Sequence, residues 1–276
     1  MTDVVIEFQV LILKLRVTMS MSIVDIEKLR QIAETAGEKI LPIYQAASFS
    51  ITMKNDRSPL TEADLASHHF IYENLQREYP HIPIISEESH TQFTFTERKK
   101  FSYFFLVDPL DGTKEFIKKN GEFTVNIALI HKNRAVAGVI HAPVLGISYY
   151  AEEGKGAFKY FQNHPIALQK TVAKNNKISA LVSRSHIDEN TEIFLQSLRN
   201  EGKEIEKISI GSALKFGLVA EGKADIYPRF SPSMEWDTAA GHILIQEVGK
   251  TLFVADTKLP LLYNKKSLLN PGFLVV

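Results

Sequence analysis

The chain has 276 residues, 45% of them apolar, which is enough for one large domain or two closely packed lobes and excludes disorder as the default. Thirty-two basic residues balance thirty-two acidic ones, which excludes a global field steering the protein to nucleic acid; an anionic ligand has to be held locally. There is no cysteine, so disulfides and thiolate metal sites are excluded, any metal must take oxygen or histidine ligands, and a reducing compartment such as the cytoplasm is expected.

Val4 to Val17 is apolar but interrupted by Glu7, Gln9, Lys14 and Arg16. That is too short and too broken to span a bilayer, and it lacks the basic start and small-residue cleavage site of a signal peptide. Residues 1–21 are expected to be an appendage: a start assigned upstream of Met19 or Met21, an added edge strand, or an oligomer contact. From Ile23 to Tyr44, apolar residues at helical spacing (Ile26, Leu29, Ile32, Ala33, Ala36, Ile40) predict a first long helix. A second runs from Thr61 to about Tyr79, where Pro80 stops it. Strands are expected at 82–86, 103–107, 123–130, 135–141 and 147–151, suggesting an antiparallel or mixed sheet with helices on one face. The second half alternates: strand 178–183, helix 189–200, strand 204–209, helix 213–221, strand 224–227 and helix 238–248, an α/β rhythm. The expected division is an α+β lobe over residues 22–170 and an α/β lobe over 171–276, with the boundary in the polar stretch Gln162 to Asn176.

The richest chemistry lies in Asp108-Pro109-Leu110-Asp111-Gly112-Thr113, directly after the apolar run Tyr103 to Val107. A buried strand ending at Asp108 fixes one carboxylate at the sheet edge, and a tight turn swings Asp111 back toward it. Two such carboxylates suit hard divalent cations, with the Leu110 carbonyl as a neutral oxygen ligand. Thr113 then opens the next segment with backbone N–H groups that suit a phosphate. A capped Asx turn uses the same residues. Ser86-Glu87-Glu88-Ser89 also follows an apolar strand, so Glu87 emerges beside Asp108 if the two strands are neighbours; a solvated acidic loop is the alternative. Asp237, next to the single tryptophan Trp236, heads a helix and serves either as its cap or as a ligand brought in from the second half. Thr61 and Asp64 form a capping-box pair, and Asp64 could also accept the hydroxyl proton of Thr113.

Glu87, Asp108, Asp111, Asp237 and the Leu110 carbonyl make an all-oxygen set suited to Mg²⁺. Two ions about 3.5 to 4 Å apart would clamp a phosphate and activate water, so the implied reaction is metal-assisted phosphomonoester hydrolysis. A covalent Asp108 nucleophile of the haloacid-dehalogenase kind is disfavoured, because that motif places its aspartates two apart and here they stand three apart with Pro109 between.

In this order and at these distances, Ser86-Glu87-Glu88, Asp108 to Thr113 and Trp236-Asp237 resemble the inositol monophosphatase superfamily. The runs Asp108 to Phe116, Asn120 to Leu129, Ser183 to His186, Gly211-Ser212 with Leu214-Lys215, Tyr227 to Arg229 and Asn270 to Phe273 are similar to its bacterial branch of CysQ-type 3'(2'),5'-bisphosphate nucleotidases. The resemblance covers roughly Ser22 to Val276. It implies a layered αβαβα sandwich of the inositol monophosphatase and fructose-1,6-bisphosphatase type, two or three Mg²⁺ ions and lithium sensitivity. It also implies conversion of adenosine 3',5'-bisphosphate to AMP within sulfur metabolism, with the sulfated relative as a further substrate. Glu87, Asp108, Leu110, Asp111 and Asp237 match the metal positions, Thr113 and Asp64 with Glu87 the catalytic ones, and Glu88 an outlying one. His186, Ser212, Lys215 and Arg229 match positions contacting adenosine or its 5'-phosphate, while Glu87, Leu110, Asp111, Gly112, Thr113 and Asp237 also face substrate. The expected partner is thus a small nucleotide bisphosphate rather than polymeric nucleic acid, and the expected location is cytoplasmic, with peripheral association at the inner membrane's cytoplasmic face compatible with the family. Read without the resemblance, Lys215 fits a solvated lysine and Arg229 a surface ion pair. An inositol or sugar phosphatase and a catalytically silent regulator are the competing readings.

Overall fold

The structure, a computed structural model, describes residues 22–53, 59–169, 176–184 and 187–276. Residues 1–21 and His186 lie outside the described residues. Helix α1 (Ile26–Gln45) begins where Asp25 accepts hydrogen bonds from the N–H groups of Glu27 and Lys28, and it buries Leu29, Ile32, Ala33, Ala36 and Ile40. A short hairpin, β1 (Ile51–Met53) with β2 (Pro59–Thr61), leads into α2 (Glu62–Glu78), which starts at the Thr61–Asp64 capping box.

The main sheet has seven strands in sequence order: β3 (Ile84–Ser86), β4 (Tyr103–Asp111), β5 (Thr124–His131), β6 (Arg134–Ala142), β7 (Ile147–Glu152), β8 (Gly156–Phe161) and β9 (His164–Leu168). β3 runs parallel to β4 and all later pairs are antiparallel. The parallel step is made by a 3₁₀ turn over Glu87–Gln92 and helix α3 (Phe95–Arg98). β4 and β5 are apolar on both sides, and alternate residues enter different cores. Phe105, Val107, Ile127 and Leu129 meet α1 and α2, whereas Phe104, Leu106, Ala128 and Ile130 meet Ala239, Ala240 and Ile243. Helices therefore cover both faces of this sheet, correcting the expectation of one.

After α4 (Thr113–Ile117) and the sheet, the second half supplies β10 (Lys177–Ser183), α5 (Glu189–Asn200), β11 (Glu204–Ile210), α6 (Leu214–Ala220), β12 (Tyr227–Arg229), β13 (Ser233–Met234), α7 (Glu235–Glu247), β14 (Leu252–Val254), β15 (Leu269–Asn270) and β16 (Phe273–Val275). β10 and β11 pair in parallel, β16 lies between β12 and β14, and a parallel bridge from Ala180 to Ile226 links the two groups. Leu181 points into the core shared with α6 and α7, and its neighbours Ala180 and Val182 meet Leu195 of α5. The resulting order of layers is α1/α2, main sheet, α6/α7, second sheet, α5: the αβαβα sandwich. The β6 backbone approaches α7 so closely that a Cβ on Gly138 would stand 2.8 Å from Ala240 Cα.

Strands β8, β9 and the short C-terminal ones escape sequence reading. β9 is exposed along nearly its whole length, so it carries no alternation, and β14 to β16 are two or three residues each.

Candidate active site

Register explains why two carboxylates meet. Ser86 is paired with Val107, so Glu87 and Asp108 leave adjacent parallel strands at the same end. β4 does not stop at Asp108, as expected, but continues to Asp111 through a bulge: Asp108 pairs with Asn126 and Asp111 with Thr124. Pro109 has no N–H to give the ladder, and pairing resumes only after two residues. Inside the bulge Leu110 N–H donates to Asp108 Oδ1 at 3.1 Å, and Ser67 Oγ donates to the Pro109 carbonyl at 2.7 Å. Gly112 follows at φ +93°, a left-handed conformation that favours glycine, and a Cβ there would also come a tight 3.2 Å from that of Ser212.

Asp64 does both things open to it in the sequence. Its Oδ2 accepts from the Thr61 N–H at 2.8 Å and from the Thr61 hydroxyl, completing the cap of α2, while Oδ1 accepts from Thr113 Oγ1 at 3.3 Å. The Thr113 hydroxyl is also 3.4 Å from the Leu110 carbonyl. Asp237, in the first turn of α7, likewise accepts from the Met234 N–H at 2.9 Å. Trp236 beside it packs against His90, whose Nδ1 lies 2.7 Å from the Glu87 carbonyl, so the Glu87 turn and the start of α7 are braced together.

These acids share one electrostatic environment. Burial, then Glu87, Asp111, Asp237 and Asp64, hold the Asp108 carboxyl well above the usual carboxylate range. Burial also raises Asp111, against the pull of Lys215, Arg229 and the Ala213 N–H. Asp237 is pushed up to about 7 by burial and by Asp111. Buried like charges of this kind call for a cation, and the donors are all oxygens, the chemistry of hard divalent cations. Asn126 adds a buried Oδ1 without a hydrogen-bond partner in the same strand pair. Asp108, Asp111 and Asp237 are each engaged by backbone N–H through one oxygen. Among the described residues no three histidine, aspartate or glutamate side chains are drawn tightly enough together to hold an ion as they stand. The residues present fit divalent ions by donor type and charge.

The second half brings cations to this cleft. Ala213 N–H donates to Asp111 Oδ2 at 2.6 Å, and the preceding Ser212 sits at φ +50°. Lys215 is buried, lowered to about 8 by burial and by Arg229, and its Nζ donates to the carbonyls of Ile210 and Ser212 at 3.1 and 2.8 Å. It is not the solvated lysine that helix position alone suggests. Arg229 donates through Nη2 to the Pro232 carbonyl at 3.0 Å, but its buried Nε has no partner. Burial opposes its charge, which Tyr227 and Asp237 more than restore, so it stays a guanidinium facing the acids.

Sequence reasoning passed over several contributors. Asn126 was visible as a polar interruption of an apolar strand, and Ser67 as the residue one turn beyond Asp64. Glu122 accepts from the Gly211 N–H at 2.8 Å and from Arg184 Nε at 2.6 Å, tying the Ser212 turn to the segment that leads into β5. No local pattern announces a bond across 89 residues.

A model of the inositol monophosphatase family matches residues 24–272. The 3'(2'),5'-bisphosphate nucleotidase CysQ of Salmonella typhimurium is 44% identical over 251 residues, 91% of this chain and 98% of that protein. The protein of the same description from Escherichia coli K12 is 42% identical, with the same coverage of both chains. Among solved structures, CysQ from Bacteroides thetaiotaomicron superposes with a TM-score of 0.79 at 43% identity, covering 88% of this chain and 93% of that one. An inositol monophosphatase from Anabaena, 24% identical with coverages of 91% and 89%, shares the fold at a TM-score of 0.69. The match across nearly the whole chain agrees with the layer order and the bulged Asp108–Asp111 segment: this chain belongs to the inositol monophosphatase family.

Proposed function

We propose that the chain is a phosphoric monoester hydrolase, a Mg²⁺-dependent 3'(2'),5'-bisphosphate nucleotidase that converts adenosine 3',5'-bisphosphate to AMP and phosphate. The relatives from Salmonella typhimurium and Escherichia coli K12 that bear this activity in their names are 44% and 42% identical over nine-tenths of the chain. The single observation that carries the reading is the convergence of Glu87, Asp108, Asp111 and Asp237 beside an Asp64–Thr113 contact.

In this reading Glu87, Asp108, the Leu110 carbonyl, Asp111 and Asp237 hold two or three Mg²⁺ ions. Bound there, Mg²⁺ supplies charge neutralisation for the phosphate and lowers the pKa of water. Asp64, with one oxygen on Thr113 Oγ1, takes the hydroxyl proton, which leaves a Thr113 lone pair aimed at the cleft to accept a proton from the attacking water. Gly112 and Thr113 border the scissile phosphate. On the far side Arg229, with its unpartnered Nε, and Lys215 meet the 5'-phosphate, and Ser212 meets the nucleoside, a contact that the family resemblance also assigns to His186. In this reading the second half closes a metal site built mainly by the first, and the reaction serves the recycling of adenosine bisphosphate in sulfur metabolism.

The test is phosphate release from adenosine 3',5'-bisphosphate and from inositol 1-phosphate, with and without Mg²⁺. The expected result is Mg²⁺-dependent preference for the nucleotide. Preference for the inositol ester would replace this reading with that of an inositol phosphatase, and turnover surviving Asp111→Asn would remove the metal site from it.

A further inference from the structure

One face of α2 reaches all three segments of the cleft. Asp64, Ser67 and His68 stand at i, i+3 and i+4, the spacing that places side chains side by side on a helix. Asp64 bonds Thr113 at the start of α4, Ser67 bonds the Pro109 carbonyl in the bulge of β4, and His68 Nδ1 lies 2.9 Å from Ser86 Oγ, directly before Glu87. Ser67 is fully buried, and its partner is 42 residues away.

The bulge contains few backbone polar groups, and each can be accounted for. Pro109 has no N–H. The Leu110 N–H is taken by Asp108 Oδ1 at 3.1 Å, and the Pro109 carbonyl by Ser67 at 2.7 Å. The Leu110 carbonyl receives only the 3.4 Å approach of Thr113 Oγ1, a hydroxyl already directed at Asp64. Among the described residues it is the one group of the bulge without a short partner, and Ser67 is the reason its neighbour is not.

We propose that Ser67 is a positioning residue for the metal site: by binding the Pro109 carbonyl it fixes the orientation of the Pro109–Leu110 and Leu110–Asp111 peptides, so that the Leu110 carbonyl and the Asp108 and Asp111 carboxylates face one cleft. Without the hydroxyl, a buried Pro109 carbonyl loses its partner, and the bulge relaxes toward an orientation that satisfies it. Ser67 touches neither substrate nor ion and acts through the backbone it holds. The assignment rests on the metal-site reading given above.

The measurement is calorimetric titration of the full chain with Mg²⁺ alone, for the parent, Ser67→Ala and Ser148→Ala. Ser148 is an equally buried serine whose Oγ donates to Glu34 at 2.7 Å, so its loss controls for general softening. Loss of a residue that orients metal ligands typically costs about 10- to 100-fold in ion affinity. Ser67→Ala is expected to weaken Mg²⁺ binding by about tenfold or more on that scale, while Ser148→Ala stays within about twofold. With saturating Mg²⁺, Ser67→Ala should recover most of the parent's phosphate release, because Asp64 and Thr113 are untouched. Parental Mg²⁺ affinity in Ser67→Ala overturns the assignment alone, as does an equal loss in Ser148→Ala. A parent that binds no Mg²⁺ removes the metal-site reading, and this assignment with it.

Discussion

Asp64 carries a structural and a chemical load on separate oxygens, and substitution can separate them. Oδ2 caps α2 through the Thr61 N–H and hydroxyl, Oδ1 meets Thr113 Oγ1, and the residue is 1% exposed. In Asp64→Asn the amide keeps the size and only one acceptor oxygen. Two Thr61 donors compete for that oxygen against one from Thr113, so the amide nitrogen turns to Thr113. The Thr113 hydroxyl then accepts instead of donating and presents its proton to the cleft, leaving water without an acceptor. Activity should fall about a hundredfold or more, the range for a lost acid–base element, with stability changed by about 1 kcal/mol or less because the cap persists. Thr61→Ala makes the opposite cut. It removes a cap contact worth about 1 kcal/mol and leaves Asp64 Oδ1 on Thr113, so turnover per folded molecule should stay within a few-fold of the parent. Phosphate release at saturating nucleotide and Mg²⁺, set against urea denaturation of the same samples, reads both quantities. If Thr61→Ala loses as much turnover as Asp64→Asn, Asp64 acts only as a cap and the catalytic reasoning fails.

Thr113→Ala should lower kcat by about a hundredfold or more while Mg²⁺ binding persists, and unchanged turnover would refute the water-orienting role. Gly241→Ala places a Cβ 2.2 Å from Cγ of the buried Phe216 ring, so overpacking should outweigh the gain in helix propensity and cost about 2 kcal/mol in chemical denaturation; a stabilised variant would contradict this. His141 and His242 are both buried and both lowered to about 4, chiefly by burial. The unfolded chain takes up their protons near pH 6.5 and the folded one only near 4, so stability is lost as pH falls through that window. The loss should approach about 3 kcal/mol for each histidine. Melting temperatures measured from pH 7 to 4.5 should fall steadily, with a shallower fall in His242→Gln; a flat profile would show that the buried imidazoles are not the cause.

Much of the fold was legible because its helices are amphipathic and capped. The spacing of Leu29, Ile32, Ala36 and Ile40 located α1, and Thr61 with Asp64 located the start of α2. The placement of the candidate site's carboxylates was legible where they follow strands or begin helices, as at Glu87, Asp108 and Asp237. The reach of β4 past Asp108 was not, because proline reads locally as a terminator, and only the returning register with β5 shows that the strand goes on. Helices on the second face of the main sheet were equally hidden: double-sided burial of β4 and β5 appears as a continuous apolar run, which an antiparallel sheet with one solvated face seldom carries. Lys215 shows the limit most directly, since nothing in the order of residues tells a solvated lysine from one folded back onto the carbonyls of Ile210 and Ser212.

The contact between Gly138 and Ala240 bears on how substrate enters. Asp237 rides on α7, Asp108 and Asp111 ride on β4, and β6, one strand over from β5, meets α7 with no clearance for even a methyl group. The seam offers no place for a hinge: parting α7 from the sheet to widen the cleft would tear open the core that both halves share. A phosphate ester therefore gains no room from α7 swinging away from the sheet, and the spacing between Asp237 and the β4 carboxylates is set before it arrives.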